Sequence, residues 1–108
     1  MLIESFFAML LKAAITGAVA GAVIALVCLN WERIVSFMTE HTPLKESDLD
    51  NVGFSLQERL ALGKFRTVYG IFNTRDRNVL AAEAVDSQRV DSQVASLHHE
   101  SPLVLFPE

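Results

Sequence analysis

One cysteine, Cys28, stands in 108 residues, so no intrachain disulfide framework exists and the redox compartment cannot be read from thiol usage. Charge is also sparse, at 20% of residues, and the nine Lys+Arg are scattered among thirteen Asp+Glu for a net charge of −4. Nucleic-acid binding wants a basic stripe, and its absence excludes that class. No glycine-rich phosphate loop, zinc-ligand spacing or paired acid/base motif occurs, so the chain is not expected to be an enzyme and no cofactor is expected. With this length there is room for one small domain at most.

What the chain does have is apolar length. The hydrophobic fraction is 51% and the mean hydropathy +0.32, with the excess in the first third. "AAITGAVAGAVIALVCLNW", residues 13–31, carries no charge. At about 1.5 Å per residue it spans the ~30 Å of a bilayer core. A domain this small could not surround such a helix, so the pattern predicts a transmembrane span. Trp31 and Arg33 would anchor it at one interface and Lys12 would snorkel at the other. A cleaved signal peptide fits poorly: Phe6, Phe7 and Met9 precede the first lysine, and the apolar run is too long. Lipidation at Cys28 fits poorly too, because Val27 stands where a small residue is wanted.

Gly17 and Gly21 form a GxxxG that Ala13 and Ala25 extend, with Ala14, Ala18 and Ala22 in the neighbouring row and Cys28 beyond. Small residues let helix backbones approach closely in lipid, so this face is expected to pack on another membrane helix. Glu4, Ala8, Lys12 and Thr16 share a second, more polar side. Lys and Arg counts on the two sides are nearly level, which leaves the orientation open.

After Trp31, "ERIVSFM" reads as the helix running on into the interface. Pro43 and Gly53 bracket an acidic linker; Asp48, Asp50 and Asn51 resemble a calcium loop whose further ligands do not fall at the required offsets. "SLQE" at Ser55 has the form of a capping box that opens a short helix closed by Gly63. "KFRTVYGIF" predicts a strand and "NTRDRN" a turn, with Arg75, Asp76 and Arg77 at its charged tip. The tandem VDSQ has a period that suits neither helix nor strand, so a change of structure is expected across it: a strand over 79–85 and a helix over 91–99. Residues 103–106 suit a third strand. His98, His99 and Glu100 are the one cluster with metal-ligand chemistry, but adjacent histidines on a helix point apart, and no metal is expected there.

The expectation is therefore a single-pass transmembrane α-helix followed by a small α+β extramembrane domain of about three short strands and one or two short helices. Residues 1–38 would hold the membrane helix with its interfacial extension, 39–54 the acidic linker, and 55–108 the domain or docking arm. Its partners would be the lipid bilayer and the transmembrane helices of a larger complex, with a homodimer also possible. The function expected is that of a non-catalytic accessory or assembly subunit in a bacterial inner membrane or another energy-transducing membrane. The alternative is a self-associating single-pass regulator whose C-terminal domain binds a soluble partner.

Overall fold

The computed structural model describes residues 23–106. Strand β1 (Ile24–Leu29) leads into helix α1 (Trp31–Glu40) and the short helix α2 (Thr42–Glu46). Strands β2 (Asn51–Arg59), β3 (Phe65–Asn73) and β4 (Asn78–Val90) follow, then helix α3 (Ser92–Leu97) and strand β5 (Leu103–Phe106). The five strands form one mixed sheet in the order β1-β4-β3-β2-β5. β1 runs parallel to β4, and all other pairs are antiparallel.

This overturns the single-pass architecture. The last third of the expected membrane helix is β1, whose Ile24 pairs with Val85 and whose Leu29 pairs with Val90. No helix among the described residues is long and apolar enough to cross a membrane; α1, the longest, has ten residues. The integral-membrane placement rested on that helix and is corrected with it. The physical reason is that an uncharged apolar run is what a bilayer span and a core strand both require. Within "VIALVCL" the β-branched Val23, Ile24 and Val27 favour the extended form.

The "SLQE" reading is overturned too. Ser55 and Glu58 lie in mid-β2, opposite Tyr69 and Arg66. Alternation explains it: Phe54 and Leu56 enter one apolar cluster, while Ser55 and Gln57 find polar partners on the other face. Pairing with two strands outweighs one local cap. Gly63 ends no α-helix; with Leu62 it takes positive φ (+76° and 67°) in the 3-10 turn that joins β2 to β3. Residues 39–54, read as a linker, carry the end of α1, all of α2 and the start of β2.

The strands at 65–73, 78–90 and 103–106 stand where the sequence pattern puts strands, and the turn stands at 74–77. β4 runs to Val90 rather than stopping at Val85 because its second half pairs with β1. The two VDSQ copies do differ: the first is strand, and in the second Val90 ends β4 while Asp91 caps α3. β3 and β4 shift register between Ile71 and Phe72. There a side chain on Gly70 would overlap the Ala81 carbonyl oxygen and come within 2.8 Å of the Ala82 Cα, so glycine is required by close approach.

The sheet has two apolar faces. On one, Ile34 and Phe37 of α1 and Val94 of α3 pack on Leu29, Tyr69 and Val85. Each such buried side chain contributes roughly 1.5–3 kcal/mol of transfer free energy. On the other, Phe54, Leu56, Val68, Phe72, Ala84 and Leu103 form a second cluster.

Candidate functional site: a groove beside an open sheet edge

Polar ties on the helix-bearing face hold α1 and α3 in place. Asp91 is the main one. Its Oδ2 accepts from the Trp31 amide at 2.8 Å and its Oδ1 from the Val94 amide at 2.9 Å, so one carboxylate caps the first turns of two helices. Glu83 on β4 accepts from the Tyr69 hydroxyl and from Arg33 Nε at 3.1 Å. Burial, then the adjacent Glu83 carboxylate, pushes the Tyr69 phenol well above its ordinary range, so it stays a donor. The Phe37 ring meets Tyr69 edge-on at 5.4 Å and stacks on His41 at 4.1 Å.

At the α2–β2 corner, Asn73 Nδ2 donates to Asn51 Oδ1 at 2.8 Å, and Asn51 Nδ2 donates to the Leu44 carbonyl at 2.9 Å. Arg75, from the charged turn tip, bridges Asp48 at 2.8 Å and Asp50 at 2.9 Å. That hydrogen bond holds the Asp48 carboxyl below its ordinary range. The three residues that resemble a calcium loop are thus tied to arginine and asparagine side chains.

These ties leave a groove of about 500 Å³ between α1, α2 and the β2–β5 edge. Its lining includes Trp31, Ile34, Val35, Met38, Leu49 and Phe106, with Lys45, Glu46 and Asp48 among its polar residues. Trp31 and Phe106 meet edge-to-face at 5.9 Å in its wall. Gly53 leaves room in the lining: a Cβ there would lie 3.3 Å from both Met38 Sδ and Phe106 Cδ2. Val35 (42% exposed) and Leu49 (100%) stand open to solvent. β5 hydrogen-bonds only to β2, so its outer edge has no strand beside it among the described residues.

One arrangement has the form of catalytic chemistry. Ser55 Oγ lies 2.8 Å from His98 Nε2, and His98 Nδ1 lies 3.0 Å from the Ser101 carbonyl. The carbonyl can only accept, so Nδ1 carries the proton and Nε2 accepts from the serine hydroxyl. Burial lowers the His98 pKa and favours this neutral form. A hydroxyl facing an imidazole is how a serine nucleophile is activated. Ser55, however, is 0% exposed in the middle of a strand paired on both sides. The pair therefore fastens the α3–β5 turn to the sheet.

Of the residues singled out in the sequence, Lys12, Ala13, Ala14, Gly17, Ala18, Gly21 and Ala22 lie outside the described residues. Ala25 and Cys28 stand on β1, Ala25 exposed and Cys28 half-buried with Sγ 3.7 Å from Asn30 Oδ1. Trp31 lines the groove and Arg33 pairs with Glu83. Among the described residues no group of three His, Cys, Asp or Glu side chains is placed to hold a metal ion. Sequence reasoning missed Asp91, Gly53 and the Ser55–His98 pair. Asp91 did carry a signal, an acidic residue three before the inward-facing Val94. No protein-family model, curated protein or solved structure matches the chain.

Proposed function

We propose that this chain is a non-catalytic accessory subunit that docks onto a protein partner through the groove between α1, α2 and the β5 edge. The supporting observation is the coincidence of an apolar, glycine-opened groove with a strand edge that has no partner strand among the described residues. An open edge offers main-chain hydrogen bonds to an extended segment, and an adjacent apolar groove takes its alternate side chains. The docking element in this reading is the groove; Ala25 and Cys28, expected on the small-residue helix face, stand on β1, and the other residues of that face lie outside the described residues. The shut-in Ser55 supports the non-catalytic part of the reading.

The test is co-purification of the full chain with its partner. Stoichiometric recovery that is lost in Val35→Asp and kept in Leu62→Asp, a change at an exposed position away from the groove, is the expected result. Recovery that Val35→Asp leaves intact contradicts the groove. Self-association through the same groove is the second occupant to separate, and sedimentation of the purified chain distinguishes a dimer from a heteromeric complex.

A further inference from the structure

β5 is the shortest strand among the described residues, four residues at one end of the sheet. Only Leu103 of the four is buried, and Leu105 is 43% exposed. So short a strand, paired on one side, depends on what fastens its ends. At its start the Gln57 amide donates to the Pro102 carbonyl at 2.8 Å, and Ser101 Oγ donates to the Leu103 carbonyl at 2.7 Å. Over both lies His98, the residue that ends α3, with one ring nitrogen on the Ser101 carbonyl and the other on Ser55 Oγ. Ser55 is itself the ladder partner of Val104, so the ring reaches into the middle of the β2–β5 pairing.

This tie works in one protonation state. In the neutral ring Nδ1 donates to the carbonyl and Nε2 accepts from the hydroxyl. A second proton, on Nε2, would point at Ser55 Oγ and force the hydroxyl to turn its own proton away. Ser55 is 0% exposed and has no other hydrogen-bond partner among the described residues, so its proton would be left without an acceptor. The surroundings offer the cation no compensation. Glu58 and Arg59 of β2 and His99 and Glu100 of the turn line the cleft beside the ring, and none of them hydrogen-bonds to it. Arg59 lies over the Phe65 ring instead. β3 and β4 bring only Phe65 and Val90 to the cleft, α3 and β5 carry no charged residue, and Asp91 is engaged by the Trp31 and Val94 amides. The ring is nonetheless only half-buried, so a proton can reach it.

We propose that His98 is an acid-operated latch on β5: protonating its ring frees the α3–β5 turn and, with it, the strand that walls the docking groove. Phe106 then leaves Trp31 and Gly53, and the edge offered to the partner goes with it. That consequence rests on the docking reading; the opening of β5 does not. The direction follows from linkage. Burial lowers the His98 pKa in the closed form, whereas in the opened form the ring returns to the ordinary 6.5. The opened form therefore gains as pH falls below 6.5, about tenfold for each unit, and levels once the closed-form pKa is passed.

The test is amide hydrogen exchange on the full chain without partner, from about pH 7.5 to about pH 5. Val104 and Phe106 are the amides to follow, since the alternation set by the Gln57–Pro102 bond turns them toward β2. They should exchange faster than β3 amides at every pH, and their protection should fall about tenfold per unit below 6.5. In His98→Gln, which keeps a neutral donor and acceptor, that dependence should vanish. Protection equal to that of β3, meaning that β5 opens only with the whole molecule, would overturn the latch. So would wild-type protection that stays flat below pH 6.5, a result that needs no variant, or an unchanged dependence in His98→Gln. With partner present, acidification should release the wild type and not His98→Gln; β5 opening while the partner stays bound would overturn the control of the groove alone.

Discussion

The two faces of this sheet are apolar to a similar degree but are specified differently. The face under α1 and α3 carries Tyr69, Glu83, Arg33 and Asp91 in directional contacts as well as Phe37, Ile34 and Val94. The other face is hydrocarbon alone until the Arg66–Asp86 pair at its end. Directional ties fix where a short helix sits: α1 with ten residues and α3 with six would have little reason to hold one register on burial alone. On the all-apolar face no directional contact of that kind stands among the described residues before the Arg66–Asp86 pair. The groove proposed for docking belongs to the first kind of face, at the place where α1 and α2 do not reach β5.

The largest effects should come from the purely apolar face. Phe54→Ala removes a fully buried ring with no polar compensation and is expected to destabilise by about 3–5 kcal/mol in chemical unfolding. Phe37→Ala, 9% exposed and beside polar ties, should lose less; equal losses would erase the contrast between the faces. Asp91→Ala removes the caps of α1 and α3 together and is expected to cost about 2 kcal/mol. A smaller loss, near that of one cap, would mean that only one of the two contacts persists in solution.

His98 gives a pH-dependent version of the same test. Its folded pKa lies below the unfolded value of 6.5 because burial disfavours the cation. The unfolded chain therefore binds the proton first, and Tm should fall as pH drops below 6.5, levelling once the folded-state pKa is passed. A Tm that rises over that window would contradict a buried neutral imidazole, and His98→Gln should flatten this part of the profile. The smallest effect is expected at Ser87, whose buried Oγ has no hydrogen-bond partner among the described residues. Ser87→Ala should be neutral or stabilise by up to about 1 kcal/mol; a clear loss would reveal a missing partner.

The legible parts of the fold are those where periodicity and end signals agree. "KFRTVYGIF" alternates β-branched and aromatic residues and is β3; Leu103–Phe106 is bounded by a proline on each side and is β5. The illegible parts are those whose identity is decided by distant pairing. Nothing local distinguishes "IALVCL" as a strand from the same letters in a membrane helix; its parallel partner stands some sixty residues away. β2 hides behind a cap-like "SLQE" whose serine is satisfied by His98, forty-three positions on. The groove was illegible for a related reason. Trp31, Gly53 and Phe106 come together only through that pairing, and each alone reads as an anchor, a linker end and a strand residue.

Cross-strand nuclear Overhauser contacts from Ile24–Leu29 test the central claim most directly, measured on the full chain in detergent-free buffer. The account predicts contacts from Ile24 to Val85 and from Leu26 to Ser87, in the parallel register that adds β1 to the sheet. Sequential contacts three and four residues apart through this segment, with none to β4, would contradict it.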